Sequence, residues 1–394
     1  MFCSKVTPAG RYFLTLLAYE KMRKKVRILL CFLLLYLVRP VASQTVNTDY
    51  FLSGNLHYGF IIPHHGSLMY LINGHTPGMG FTYTRPTHGE KKWQRDYHYP
   101  EIGLTFFYIS FGNPQMLGSG ISVYPFINFH VTHNRRLDLR FKAILAPAPG
   151  FVTKKFDRLE NHKNTVLGTH VNGYAGYRLI AIIPVGKNLR LETGIGISHF
   201  SNGGTRLPNL GINIPTAELG LAYHFNNKNV QLIPDTSGKS GKQNSFSFHA
   251  STGFTSINPP GQKEYPAYNL SAQFERQVSN KSKWLAGTDL VFNSSHLAEY
   301  RSDTIVHLHS DLQNLQWGIK GGYELVMGQL SFPMEMGIYL YSINTDDRLF
   351  FHRLGIRYHF NEHWSAAVCL KLHWANASYF EWGVGYNIKA GKKK

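Results

Sequence analysis

A histidine and a serine stand two residues apart in this chain, at His199 and Ser201. In a β-strand such residues lie on the same side with their Cα atoms ~6.6 Å apart, so the imidazole and the hydroxyl can approach each other. An imidazole beside a serine can take the hydroxyl proton as the serine oxygen attacks an acyl carbonyl. Such a pair can carry out serine-dependent ester hydrolysis.

The residues before this pair predict which way it faces. Leu189, Leu191, Ile195 and Ile197 share the side of His199 and Ser201, whereas the other side carries polar and small residues: Arg190, Glu192, Gly194, Gly196 and Ser198. In a membrane barrel the apolar side faces lipid and the polar side faces the lumen. The pattern predicts a lipid-facing pair. A bare His-x-Ser also fits polar residues at the membrane interface, and that interpretation stays open here.

The elements that position the pair are strands. From about residue 53 onward, runs of ~8 to 12 residues alternate apolar with small or polar side chains and are separated by Gly, Asn, Pro and Asp. Charged residues make up 16% of the chain and aromatic residues 14%, which is typical of a protein whose strands are apolar on one side. We predict an all-β fold, an antiparallel transmembrane β-barrel with roughly sixteen strands, arranged as one barrel or as two eight-stranded halves. A soluble sandwich or lipocalin-like barrel is the alternative.

The chain divides into four predicted segments. Residues 1–43 have the basic and then apolar pattern of a secretory signal peptide, with Met22 as a possible true start. Residues 44–225 form the first barrel half, residues 226–244 a polar connector, and residues 245–391 the second half. Residues 147–170 are expected to be a long polar loop. The segment around His199 resembles the one around His373, where Ala375 stands in place of Ser201 and Glu381 follows, as in a decayed second site.

The net charge and the positions of possible metal ligands limit the kinds of partner and cofactor that we expect. The net charge is +18, and it stays positive without the leader. For an exported protein this favours anionic lipid; we expect no nucleic-acid partner, because no zinc spacing or recognition helix is present. His64 and His65 lack a third ligand at suitable spacing, so we expect no metal and no other cofactor. The sequence leaves the oligomeric state open.

A longer stretch carries a family resemblance. His199-Phe200-Ser201-Asn202, then Gly203-Gly204 and Pro208-Asn209-Leu210-Gly211, resembles the active-site strand and loop of the outer-membrane lipid A 3-O-deacylases, the PagL-like family often described as acyloxyacyl hydrolases. The resemblance implies an esterase of the cell outer membrane that removes an ester-linked hydroxyacyl chain from lipid A, the anchor of lipopolysaccharide. It also implies that Ser201 is the nucleophile and His199 the general base, with Asn202, Gly203 and Gly204 stabilising the oxyanion.

One position departs from the family pattern. The third member of the family's triad is a glutamate two residues after the Pro-Asn-x-Gly turn, and here that position is Asn213. An asparagine can hold an imidazole in one tautomer but supplies no charge. Glu218 is the nearest carboxylate, although its alternation with Gly220 and Ala222 directs it to the lumen. Asn213 is favoured over Glu218. The rival function is a non-enzymatic outer-membrane barrel, a porin or a structural protein.

Overall fold

The computed structural model describes residues 49–132, 138–144, 147–226, 230–235, 243–302, 311–343, 349–374 and 376–390. The predicted signal peptide and Ala375 lie outside the described residues. Among the described residues, no helix is both long enough and apolar enough to span a bilayer.

The first nine strands close into a barrel. Strand β9 pairs with β1, and the ring runs through β2, β3, β4 and on through β7 and β8, with every pairing antiparallel. Strands β5 and β6 both lie between β4 and β7, so together they fill one of eight strand positions. The strands are β1 Tyr50–Gly59, β2 Thr76–Arg85, β3 Glu101–Ser110, β4 Ser119–His130, β5 Asp138–Ala143, β6 Ala148–Val152, β7 Val171–Pro184, β8 Leu189–Ser201 and β9 Ile212–Phe225.

A second barrel follows, with eight strands and closure between β17 and β10. Its strands are β10 Gln243–Ser256, β11 Glu264–Ser279, β12 Ser282–Asn293, β13 Leu315–Met327, β14 Leu330–Ser342, β15 Phe350–His359, β16 Trp364–His373 and β17 Asn376–Lys389. Short helices occupy connecting segments: α1 Gly66–Met69, α2 Lys92–Asp96 and α3 Ser295–Ser302. The predicted all-β barrel fold is confirmed, and of the two arrangements left open the chain adopts two barrels of eight.

Polar and apolar side chains are distributed in the opposite way to a water-soluble protein. Leu219 and Leu221 of β9 are half exposed on the outside, while Glu218, which directly precedes Leu219, is buried. Charged groups pair inside each barrel, as Arg178 does with Glu218 at 3.1 Å and Arg353 with Asp289 at 2.7 Å. Outward apolar and inward polar alternation is typical of transmembrane barrels.

The interior of the second barrel is filled by side chains. Arg353 donates to the carboxylates of Asp289, Glu335 and Glu381, and the cavity beside these residues measures about 30 Å³. An eight-stranded barrel is just wide enough for its own side chains, so this volume leaves no room for a wide aqueous channel.

Four connections meet at one end of the first barrel, where β8 ends. They comprise residues 60–75, 111–118, 153–170 and 202–211. An apolar cluster inside this end includes Phe107, Phe111, Val166 and Phe200 and packs the connections against the strands. This end holds the candidate site.

Residues 147–170 differ from the predicted long loop, because their first part forms β6. Pro149 and Gly150 disfavour a strand by local preference. Ala148–Val152 nevertheless pairs with β4 and β7 and completes the strand position that β5 leaves half filled. Pairing partners distant in sequence therefore overrode the local signal.

Candidate active site

The end of β8 is held by Phe200. This side chain is fully buried inside the barrel and packs on Phe111 and Tyr174, with ring centroids 5.4 and 4.9 Å apart. Because successive side chains of a strand point to opposite faces, the residues on either side of Phe200 face outward. His199 and Ser201 thus lie on the outward face that Ile195 and Ile197 continue toward the middle of the strand.

His199 is paired with Asn213 across β8 and β9. The two residues are register partners, and His199 Nδ1 lies 2.7 Å from Asn213 Oδ1. Since an amide oxygen only accepts, Nδ1 carries the ring proton and Nε2 keeps its lone pair. The structure therefore places Asn213 where it holds His199 in the tautomer that a general base requires.

Ser201 is held in a turn by backbone and amide groups. Its Oγ accepts from Gly203 N at 3.0 Å and from Asn209 Nδ2 at 2.9 Å. Asn209 Oδ1 in turn accepts from Asn202 N at 2.9 Å, which orients the amide. These bonds of Ser201 go to Asn209 and Gly203 rather than to His199. Bonds between a nucleophile and its base commonly tighten only when substrate binds.

The oxyanion candidates differ in what they contact. The Asn202 side chain serves its own turn, because its Oδ1 accepts from Gly204 N at 3.1 Å and its Nδ2 donates to Arg206 O at 2.7 Å. Gly203 and Gly204 both have positive φ, which favours glycine in this turn. Of the amide groups predicted for the oxyanion, only Gly203 N contacts Ser201 Oγ directly.

Asn209 was missed as a site residue by sequence reasoning. It lies eight residues after Ser201 in the Pro-Asn-x-Gly segment, and only the return of the loop brings its amide to the serine. The motif was visible in the sequence, but nothing local told which atom the asparagine side chain contacts.

Two further residues border the histidine. Gly211 has φ +73°, and a Cβ there would lie 2.8 Å from His199 Cε1, so any side chain would press on the imidazole. His64, from the β1–β2 connection, contacts Leu210 O through Nε2 at 3.0 Å, and its Nδ1 lies 3.4 Å from Asn213 Nδ2. In the described ranges, His, Cys, Asp and Glu form no group of three or more that could hold a metal ion.

Glu218 does not reach the histidine. It is buried inside the barrel, with one carboxylate oxygen 3.1 Å from Arg178 Nε and 3.5 Å from His57 Nδ1. Glu218 as a substitute for Asn213 is therefore wrong on geometry, because the strand wall separates the lumen from the outward face.

We expect Glu218→Gln to lower stability and leave catalysis unchanged. Removing the carboxylate leaves the buried Arg178 without its ionic partner, which costs about 3 kcal/mol. Urea titration of the refolded protein in detergent would show the lower midpoint, whereas turnover per folded molecule should match wild type. Loss of turnover at unchanged stability would contradict this assignment.

The second barrel has no matching pair at the corresponding histidine. His373 alternates with the buried Cys369 and Lys371, and its ring nitrogens contact Tyr339 Oη at 2.8 Å and Ser378 Oγ at 2.7 Å. Glu381 accepts from Arg353 inside the same barrel. His373 thus points inward where His199 points outward, and the suggestion of a decayed second site is not supported.

Two family models match the chain. A model of the family "Lipid A 3-O-deacylase (PagL)" matches residues 78–222, and a model described as "Acyloxyacyl hydrolase, C-terminal domain" matches residues 244–390. The two matches together cover most of the chain. The chain belongs to the lipid A 3-O-deacylase family. The family predicted from the stretch around His199 is thereby confirmed. The first match covers β3 to β8 and most of β2 and β9, and the second covers nearly all of the second barrel.

Solved structures add little to this assignment. The KdgM porin is 7% identical, with 85% of this chain and 98% of that chain covered and a TM-score of 0.18. A triple mutant of the Rhodopseudomonas blastica porin is 8% identical, with 86% and 99% covered and a TM-score of 0.17. Scores this low carry no argument about fold or function. No curated protein matches the chain significantly.

Proposed function

We propose that this protein is an outer-membrane carboxylic-ester hydrolase that removes an ester-linked hydroxyacyl chain from lipid A. The observation that carries the proposal is the outward-facing pair at the end of β8. His199 is held by Asn213 with Nε2 unprotonated, and Ser201 stands two residues away on the same apolar face. Membership in the lipid A 3-O-deacylase family supports the same chemistry.

The position of the pair suits a lipid substrate. The outward faces of both barrels carry exposed apolar side chains, including Ile195, Leu219 and Leu354. In a bilayer these faces contact acyl chains, so a lipid can reach Ser201 by moving sideways without passing through the barrel. The apolar part of the substrate would lie along Ile195 and Ile197, with its polar head beside the loops.

Acylation requires two proton transfers and the exchange of one carbon–oxygen bond for another. Ser201 Oγ attacks the ester carbonyl carbon while His199 Nε2 takes the hydroxyl proton. The carbon–oxygen bond to the sugar then breaks, and His199 returns the proton to the sugar oxygen. The products of this half-reaction are a sugar hydroxyl and an acyl group on Ser201.

Deacylation reverses these roles with water. His199 removes a proton from water, the hydroxide adds to the acyl carbon, and the bond to Ser201 Oγ breaks as the proton returns to the serine. A free hydroxy fatty acid leaves into the bilayer. Asn213 keeps the imidazole in the required tautomer through both steps but adds no charge beside the imidazolium.

The negative charge that forms on the carbonyl oxygen needs donors. The nearest donors to the reacting centre are Gly203 N and Asn209 Nδ2, which lie 3.0 and 2.9 Å from Ser201 Oγ, and either would have to turn from Oγ to the carbonyl oxygen as the charge develops. One such donor typically lowers the barrier by about 3 kcal/mol.

The proposal is tested by incubating the refolded protein with purified lipid A in detergent micelles. Mass spectrometry should show a product lighter by one hydroxyacyl chain, together with the free hydroxy fatty acid. Intact lipid A across several lipid A types and pH values would reject the proposal and favour a non-enzymatic barrel.

A further inference from the structure

The second barrel contacts the turn that holds the proposed nucleophile. Phe380 of β17 and Leu370 of β16 lie on the outward face of that barrel, next to the buried Glu381 and Lys371. A Cβ on Gly203 would lie 2.5 Å from Phe380 Cε2 and 3.0 Å from Leu370 Cδ1. The phenyl ring therefore occupies the space beside this glycine.

Three more contacts attach the same region to the second barrel. The backbone carbonyls of Ala377 and Ser378 fill the space beside Gly204. The Cζ atom of Phe380 lies 3.0 Å from the Cβ position of Gly173, the register partner of Ser201 on β7. Leu207 N donates to Ser256 Oγ of β10 at 2.8 Å.

One hydrogen bond connects the residue that Phe380 contacts with Ser201. Gly203 is the residue whose amide donates to Ser201 Oγ at 3.0 Å, and it is also the residue on which Phe380 packs. A displacement of about 1 Å at a reacting group can cost 10²-fold in rate. A change in the packing of Phe380 would therefore act on the residue whose amide contacts the serine.

We propose that the second barrel positions the nucleophile turn of the first barrel, and that Phe380 is the positioning residue. This rests on the proposed function for its kinetic consequence, whereas the structural part stands on the contacts themselves. The second barrel then contributes to catalysis without a reacting group of its own.

The test compares Phe380→Ala with Trp382→Ala in the full-length protein. Trp382 lies two residues along the same outward face and is about half exposed (46%), so it is a matched aromatic control. Phe380→Ala should lower kcat about 10- to 100-fold with KM nearly unchanged, because the turn loses its support and not its substrate contacts. Phe380→Leu should restore most of the rate, and Trp382→Ala should match wild type.

A second readout does not depend on activity. Hydrogen exchange measured by mass spectrometry on peptides covering residues 201–207 should be faster in Phe380→Ala and unchanged in Trp382→Ala. Equal exchange and equal kcat in the two variants would overturn the proposal. A wild-type protein without lipid A hydrolysis would reject the proposed function alone, since exchange would still decide whether Phe380 positions the turn.

A separate contact between the barrels should allow the Phe380→Ala variant to fold. At the opposite end Tyr97 Oη donates to Val326 O at 3.0 Å, and Asn280 Nδ2 donates to Asp96 at 3.1 Å. If Phe380→Ala fails to refold, Ser256→Ala removes the bond to Leu207 N and leaves the apolar packing in place. Faster exchange of residues 201–207 in that variant supports the proposal, and unchanged exchange contradicts it.

Discussion

Ser201→Ala is expected to abolish hydrolysis of lipid A, with a fall in kcat of about 10⁴-fold or more. The variant loses the oxygen that forms the acyl intermediate, while the Asn209 amide can still bond Asn202 N and keep the loop closed. Mass spectrometry of the lipid A product measures the loss. The folded barrel should persist, seen as faster migration of the unheated protein on a denaturing gel.

The matched control for this variant is Ser119→Ala. Ser119 begins β4 at the same end of the barrel, and its hydroxyl bonds Tyr108 Oη at 3.0 Å rather than any site residue. This control should retain wild-type turnover. Hydrolysis that survives Ser201→Ala would show that another group is the nucleophile.

His199→Ala should lower kcat about 10³-fold, because the variant loses the imidazole that Asn213 holds with Nε2 free to take the serine proton. Steady-state hydrolysis of lipid A measures the change. The barrel should still form, since Phe200 next to it supplies the buried packing of the strand end.

Chemical rescue separates a catalytic histidine from a structural one. Added imidazole should restore part of the rate in His199→Ala and none in Ser201→Ala, because only the first variant keeps the nucleophile. Two results would contradict the assigned role. One is a His199→Ala protein that does not fold, and the other is a folded His199→Ala protein that keeps normal turnover without added imidazole.

The outward position of the candidate site affects the route by which a substrate can reach it. Both barrels have interiors crossed by ion pairs, such as Arg178 with Glu218 and Arg353 with Asp289. Such filled interiors disfavour access through the lumen, so the proposed function expects a lipid substrate to approach along the apolar surface. The contact of Phe380 with Gly173 and Gly203 places the second barrel along one side of that approach.

Several features of the fold followed from the sequence alone. Alternation along β8 predicted that His199 and Ser201 share one face with Ile195 and Ile197, and the structure has them together on the outward face of the barrel. Alternation along β9 likewise directed Glu218 to the lumen, where it is buried. Such predictions succeed because the side-chain period of two is a property of the strand backbone and needs no partner.

Other features required the folded chain. The short β6 strand forms because β4 and β7 offer it pairing on both sides, against the preference of Pro149 and Gly150. The number of barrels was open for the same reason, since antiparallel strands of equal length suit one ring of sixteen or two rings of eight. Closure between β9 and β1 and between β17 and β10 decides it.

The candidate site likewise has features that follow from the sequence and features that require the folded chain. The sequence by itself determined the spacing of His199 and Ser201 and the face that they share, because two residues on one strand have a distance that the backbone dictates. Only the tertiary structure brought Asn209 onto Ser201 and Phe380 onto Gly203, across 8 and 177 residues. Those contacts depend on how a loop returns and on where a second barrel packs, and both are set by packing between segments that no local pattern describes.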